Sequence, residues 1–89
     1  TAVHVVDGRN GRAESHLDHT VVRFRSLAAD EIARYIEADT PLDCAGGFKA
    51  ESLGIALFDR IESSDPTALT GLPLIWVSAA LRRAGIPVP

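Results

Sequence analysis

The stretch that most constrains the fold is the glycine-rich segment from Asp43 to Gly54, Asp-Cys-Ala-Gly-Gly-Phe-Lys-Ala-Glu-Ser-Leu-Gly. Gly46 and Gly47 let the backbone turn its N–H groups toward a ligand, because neither residue carries a Cβ. The segment does not fit the phosphate-binding pattern Gly-x-x-x-x-Gly-Lys-Ser/Thr, so a P-loop is excluded. We therefore expect a ligand-binding loop that the helices and strands on either side support.

Three side chains of this loop are candidate ligand contacts. Phe48, Lys49 and Glu51 place an aromatic face, an ammonium and a carboxylate within four positions, which suits a flat, polar, phosphate-bearing molecule. In extended backbone Lys49 and Glu51 would point to the same face, so an exposed ion pair between them is the alternative. For Phe48, packing in the core is the alternative to stacking on a base, and Trp76 is a weaker stacking candidate.

The segments that follow the loop raise the specificity of the pattern. The chain resembles the Maf family of nucleoside triphosphate pyrophosphatases, and within it the branch that acts on 7-methyl-GTP. The resemblance rests on the loop itself and on three later segments, Ile55-Ala-Leu-Phe-x-Arg-Ile-Glu, Asp65-Pro66 and Gly71-Leu-Pro-Leu. Ser52 departs from the family pattern, which usually has Gly there, and Thr67 stands where Asn is common. The resemblance spans all 89 residues but only the latter half of a Maf-type protein.

The resemblance implies hydrolysis of a nucleoside triphosphate to the monophosphate and diphosphate. It also implies a divalent cation, Mg²⁺ or Mn²⁺, and an Asp that activates water; these groups belong to the upstream half of the family pattern. We therefore interpret residues 1–89 as the C-terminal half of a single Maf-type domain. We assign no catalytic residue and no metal ligand in the chain, and expect it to be inactive alone.

Base recognition is the role that the resemblance assigns to this half. Other Maf branches have Gln at the position of Glu51, so the position is expected to set base choice. A carboxylate only accepts hydrogen bonds, and guanine presents two adjacent donors, N1–H and the N2 amino group. N7 methylation makes the ring more positive, which favours a carboxylate and a stacked aromatic. The predicted substrate-binding residues are Gly46, Gly47, Phe48, Lys49 and Glu51.

Composition excludes several other classes of protein. The chain has 46% hydrophobic and 24% charged residues, as in ordinary globular proteins. Its net charge of −3 argues against a nucleic-acid partner, and no apolar run reaches the roughly 20 residues that span a bilayer. Cys44 is the only cysteine, which excludes an internal disulfide and fits a cytoplasmic location. We weigh Cys44 as a nucleophile and reject it, because no His lies near it in sequence.

The hydrophobic pattern predicts an α/β fold, with a mixed, largely antiparallel sheet of about four strands and two packing helices, like the C-terminal half of a Maf/ITPase-like fold. We predict a strand over 1–7 covered on both faces, a hairpin at Gly8–Gly11, and a long strand over 12–25 bent near 19–21. Helices are predicted over 27–38 and from Pro73 to Arg83, the second with a core stripe of Leu74, Val77 and Leu81. The segment 55–62 fits either periodicity, and its flanking residues favour a strand.

The sequence also gives expectations about the partners of the chain and about its alternative functions. The chain contains no Met and opens on a strand pattern, so we expect an upstream partner segment. It should bind a nucleoside triphosphate, and it should form a homodimer or associate with the N-terminal half, because a strand edge would otherwise be exposed. A nucleotide-binding or interaction module without turnover is the alternative function. A structural fragment left by proteolysis is a third possibility.

Overall fold

The computed structural model describes all 89 residues, Thr1–Pro89. They form two compact units, and each is described by itself. The hairpin unit joins residues 1–20 to residues 63–89, and the loop unit comprises residues 21–62.

The hairpin unit is named for its two antiparallel strands, β1 (Ala2–Val6) and β2 (Ala13–Leu17). The turn closes where the Gly11 N–H donates to the Asp7 carbonyl at 2.8 Å, with Gly11 at a φ of 72°. A left-handed φ costs glycine little, which is why the chain reverses here. The predicted hairpin is confirmed.

The prediction that the first strand is covered on both faces is wrong. Val3 and Val5 are half-buried, whereas the alternate side chains Ala2, His4 and Val6 are exposed. The sheet of this unit has only two strands, so each strand has one edge without a partner strand. A run rich in Val fits a half-covered strand as well as an internal one.

Helix α2 (Leu74–Arg83) completes the hairpin unit. The residue before it, Pro73, is the largest fully buried side chain, and Ala68 and Ala80 are each 1% exposed. Gly85 follows the helix with a left-handed φ of 86°, at which helices commonly end, and α2 stops at Arg83, as predicted. Leu74 is 46% exposed, so its assignment to the core stripe is wrong: small residues, not Leu74, occupy the buried face.

The loop unit contains β3 (Val21–Phe24), α1 (Ala29–Asp39) and β4 (Phe58–Glu62). Strands β3 and β4 pair antiparallel, with a register shift between Arg23 and Phe24. The predicted long strand over 12–25 therefore divides at residues 18–20, near the expected bend. The predicted strand over 55–62 begins only at Phe58, because a 3₁₀ helix over Leu53–Leu57 takes up its first residues.

Helix α1 starts without a side-chain cap, since Ala28 is its N-cap residue and its methyl side chain cannot accept a hydrogen bond. Asp30 and Glu31 lie in its first turn, where carboxylates interact favourably with the helix dipole. The helix ends at Thr40, whose φ of 42° is left-handed and whose N–H donates to the Ile36 carbonyl. Its predicted bounds are correct to within two residues.

The predicted α/β class, with four strands and two helices, is confirmed. The strands pair as two separate two-stranded antiparallel sheets, β1-β2 and β3-β4, and the single four-stranded sheet of the prediction is not formed. None of the helices has the length and apolar character needed to cross a membrane.

Candidate functional site

The glycine-rich loop folds as a series of tight turns in the loop unit. A short 3₁₀ helix covers Pro41–Asp43, and a tight turn follows over Ala45–Gly47. Gly46 and Gly47 have φ values of 78° and 73°, and two successive left-handed residues are strained for any residue with a Cβ. The Gly47 N–H donates to the Cys44 carbonyl at 3.0 Å. That N–H is therefore used by the turn itself rather than presented to a ligand.

Phe48 lies half-buried in an aromatic cluster. The ring centroids of Phe48 and Phe58 are 4.8 Å apart with an interplanar angle of 77°. Those of Phe48 and Phe24 are 6.0 Å apart with an interplanar angle of 88°. Such T-shaped arrangements are favourable for aromatic pairs. Contacts of this kind support the packing interpretation of Phe48, while its predicted role in base stacking stays a prediction.

Lys49 starts a four-residue turn that helix α1 holds in place. Its backbone N–H donates to the Tyr35 hydroxyl oxygen at 2.8 Å, and its Nζ donates to the Asp39 carbonyl oxygen at 2.9 Å. The Lys49 carbonyl accepts from the Ser52 N–H at 3.1 Å, and Ser52 Oγ donates to Asp39 Oδ1 at 2.8 Å. The ammonium thus contacts the end of α1 and forms no ion pair with Glu51.

Glu51 lies near the tip of this turn. Its side chain is exposed and takes part in none of the chain's hydrogen bonds or ion pairs. Because Ala50, Glu51 and Ser52 form a turn, the extended backbone that would place Lys49 and Glu51 on one face is absent. A carboxylate with all its acceptor sites free is available to a ligand that carries paired donors.

Tyr35 and Asp39 define the electrostatics beneath the turn. Tyr35 is buried, and removal from water raises the pKa of its hydroxyl, although donation from the Lys49 N–H acts in the opposite direction. Burial also acts to raise the pKa of Asp39. The hydrogen bond from the Ser52 hydroxyl, the nearby Tyr35 hydroxyl and Gly54 N–H, and the Lys49 ammonium outweigh that effect, and the pKa of Asp39 is lowered. Asp39 is therefore ionised at neutral pH.

Sequence reasoning missed this support. Tyr35 and Asp39 are four positions apart on α1, so they lie on one face of the helix, and this spacing was the signal available in the sequence. What the spacing does not show is which loop the face contacts, because the partners lie 10 to 14 positions further along the chain.

A second polar cluster lies at the start of α2 in the hairpin unit. Asp65 is 3% exposed; its Oδ2 accepts from the Ile75 N–H at 2.8 Å and its Oδ1 from the Thr67 hydroxyl at 2.6 Å. The Thr67 Oγ1 accepts in turn from the Leu74 N–H at 2.8 Å. These acceptors satisfy two N–H groups that the first turn of a helix leaves without partners, so the cluster is structural.

The other candidates have structural partners. Trp76 stacks on His16 with ring centroids 5.2 Å apart, and the Arg83 guanidinium lies 5.8 Å from the Trp76 centroid. Cys44 Sγ lies 3.9 Å from Asp43 Oδ1. A cavity of about 610 Å³ lies in the hairpin unit beside Arg9, Arg12 and Arg83. No group of three or more His, Cys, Asp or Glu side chains could hold a metal ion.

Comparison with known proteins decides the family. A family model described as Maf-like protein matches residues 1–84. The chain belongs to the Maf family. The resemblance read from the loop and the three later segments is thereby confirmed.

Several relatives are similar over almost the whole chain. A protein of Aromatoleum aromaticum named 7-methyl-GTP pyrophosphatase is 51% identical over 89 residues, which is 100% of this chain and 46% of that protein. Proteins with the same name in Xanthomonas campestris pv. campestris and Cupriavidus metallidurans are 54% and 48% identical, over 100% and 98% of this chain and 46% and 44% of their own lengths. The chain spans about half the length of these curated relatives and matches their C-terminal part.

Proposed function

We propose that this Maf chain supplies base recognition and scaffold to a nucleoside triphosphate pyrophosphatase that acts on 7-methyl-GTP. The observation that carries the proposal is the identity of about half of all residues, over the whole chain, with proteins named 7-methyl-GTP pyrophosphatase. In the reaction, water attacks the α-phosphorus, the bond to the bridging oxygen breaks, and the monophosphate and diphosphate are released.

Glu51 carries the base recognition in this proposal. Its carboxylate is exposed and has no partner in the chain, so both oxygens can accept hydrogen bonds from guanine N1–H and the N2 amino group. The positive charge of N7-methylated guanine strengthens this pairing over plain guanine. Lys49 keeps two N–H donors besides the one that contacts Asp39, and in the proposal these face the phosphates.

The chemical step belongs to groups beyond these 89 residues. The residues present do not fit a divalent cation, since no group of three or more potential ligands lies together. We propose that Mg²⁺ or Mn²⁺, and the residue that activates water, are held by the part of the relatives' length that this chain does not span. The isolated chain should therefore release no diphosphate from any nucleoside triphosphate.

The test compares Glu51→Gln with wild type in a protein of the relatives' length that carries these 89 residues. Glu37→Gln is the matched control, because the Glu37 side chain is exposed on α1 and forms no ion pair or hydrogen bond. Glu51→Gln should lower kcat/KM for 7-methyl-GTP by about ten- to a hundred-fold, since one acceptor becomes a donor facing another donor. The value for UTP should fall less or rise.

Two results would decide against the proposal. Equal losses for Glu51→Gln on 7-methyl-GTP, GTP and UTP would make the carboxylate structural. Tight binding of 7-methyl-GTP with no diphosphate release, in the longer protein supplied with Mg²⁺ or Mn²⁺, would support the alternative of a binding module without turnover.

A further inference from the structure

The last turn of α1 holds both ends of the Lys49–Ser52 turn and neither of its middle residues. At the first end, Lys49 donates its backbone N–H to Tyr35 at 2.8 Å and its Nζ to the Asp39 carbonyl at 2.9 Å. At the other end, Ser52 Oγ donates to Asp39 Oδ1 at 2.8 Å. Three hydrogen bonds that Lys49 and Ser52 donate to two helical residues therefore fix the two ends of the turn from which the Glu51 side chain projects.

The support beneath the turn is buried and tightly packed. Tyr35 is 9% exposed, and the hydrogen bond that it accepts from the Lys49 N–H is part-buried. Gly54 is also buried, and a Cβ at that position would overlap the backbone of Lys49. Because the Lys49–Ser52 turn contacts both helix α1 and Gly54, it has little space in which to move.

We propose that Tyr35 and Asp39 are positioning residues that hold the Glu51 carboxylate where it discriminates between bases. The inference rests on the proposed function, because it gives base choice to Glu51. It adds that base choice depends on two residues of α1 that contact no substrate. It also gives the Lys49 ammonium a structural contact at the carbonyl end of a helix, where a cation is favoured by the helix dipole.

The physical reason is the geometry that paired hydrogen bonds demand. A carboxylate that accepts from two adjacent donors must be placed to within about 0.5 Å and held there by its surroundings. A free loop residue would lose conformational entropy each time it bound, whereas a residue already held in place loses less. Loosening the turn should therefore weaken the guanine-specific contact more than phosphate binding, because the contact of Lys49 Nζ with the Asp39 carbonyl does not depend on the Tyr35 or Ser52 hydroxyl.

The experiment uses the longer protein that carries these residues, with Tyr35→Phe and Ser52→Ala as variants. Tyr35→Phe removes only the hydroxyl that accepts the Lys49 N–H, and Ser52→Ala removes only the donor to Asp39. Ser26→Ala is the matched control, because Ser26 is exposed and forms no hydrogen bond in the chain. Measured quantities are kcat/KM for 7-methyl-GTP and for UTP, and the hydrogen exchange rates of the amides of residues 49–52.

Tyr35→Phe should lower the ratio of kcat/KM for 7-methyl-GTP to that for UTP by about tenfold, the equivalent of one lost hydrogen bond. Ser52→Ala should lower it by about threefold, because its bond is more exposed. In both variants the amides of the turn should exchange about tenfold faster, and kcat/KM for UTP should fall less than kcat/KM for 7-methyl-GTP. Ser26→Ala should alter none of these values.

Each contrary result has its own meaning. Equal loss on both nucleotides would show that Tyr35 only stabilises the fold, and would overturn the positioning role. An unchanged ratio in both variants, while Glu51→Gln alters it, would overturn the positioning role and leave the proposed function intact. If Glu51→Gln itself leaves the ratio unchanged, the proposed function and the positioning role both fail.

Discussion

Gly54 shows how a single residue can be fixed by the space around it rather than by its backbone angles. Gly54 is buried, and the backbone of Lys49 occupies the position where a Cβ would lie. Gly46 and Gly47 are glycines for a different reason, since their φ values of 78° and 73° are left-handed. The loop therefore needs glycine twice for its conformation and once for close approach.

Gly54→Ala should destabilise the chain by about 2 kcal/mol, because the new methyl group forces the loop away from α1. The midpoint of thermal unfolding, followed by circular dichroism, should fall by roughly 10 °C. Gly8→Ala is the control: nothing lies within 4 Å of its Cβ position, so its midpoint should change little. Equal unfolding midpoints for the two variants would mean that the loop accommodates the methyl group without loss of stability.

At the scale of elements, α2 depends on residues outside itself. Its N-cap residue, Pro73, supplies no side-chain hydrogen bond, and the first two N–H groups of the helix bond to Thr67 Oγ1 and Asp65 Oδ2. Burial acts to raise the pKa of Asp65, but hydrogen bonds from Thr67 and Ile75, with the nearby His16, lower it overall. The ionised carboxylate is therefore the form that the helix start stabilises.

Stability should consequently depend on pH through Asp65. A carboxyl whose pKa is lowered in the folded state adds stability above its unfolded pKa of about 3.9, and that stability is lost as pH falls through the lower folded value. Asp65→Asn should be less stable than wild type at pH 7, and the difference in urea midpoint should shrink as pH falls below about 3.9 toward pH 3. Asp59→Asn, at an exposed position, is the control. A difference that stays constant from pH 7 to pH 3 would contradict the assignment.

The elements were predictable where their signals are local. The hairpin follows from Gly8–Gly11, because the residues that reverse the chain are adjacent to the strands they join. The end of α2 follows from Gly85 and Pro87 for the same reason. The segment 55–62 was ambiguous for a physical reason too: its apolar spacing fits a helix and a strand, and the chain forms a 3₁₀ helix to Leu57 and a strand from Phe58.

The candidate site was predictable only in part. Its candidate residues were predicted through resemblance to the Maf family and stay a prediction; the structure shows that the Glu51 side chain is exposed. The contacts of Lys49 with Tyr35 and Asp39 were not predicted, because they join an amphipathic helix to a loop that carries no periodic signal. Pairing of the four strands as two sheets was also missed, since alternating residues give strand positions but not strand partners.

At the scale of the whole molecule, apolar side chains are left uncovered. Thirteen large hydrophobic residues are exposed, among them Val6 at 57% and Leu17 at 59% in the hairpin unit, and Val21 at 60% in the loop unit. Monomeric proteins rarely expose large contiguous apolar patches. Each sheet has only two strands, so every strand also has an unpaired edge.

The isolated chain should therefore self-associate at its hairpin. Light scattering should show dimers or larger species whose share rises with concentration, because strand edges pair and apolar side chains are buried on association. Val6→Lys combined with Leu17→Lys should shift the chain toward monomer, since lysine at a sheet edge opposes pairing. Leu42→Lys is the control, because Leu42 is 84% exposed in the loop unit and lies in no strand. The contrary result is that wild type and both variants are monomers at high concentration and unfold cooperatively. The exposed apolar surface would then need no partner, neither a second copy nor the rest of a longer protein, and the chain would be a self-sufficient small domain.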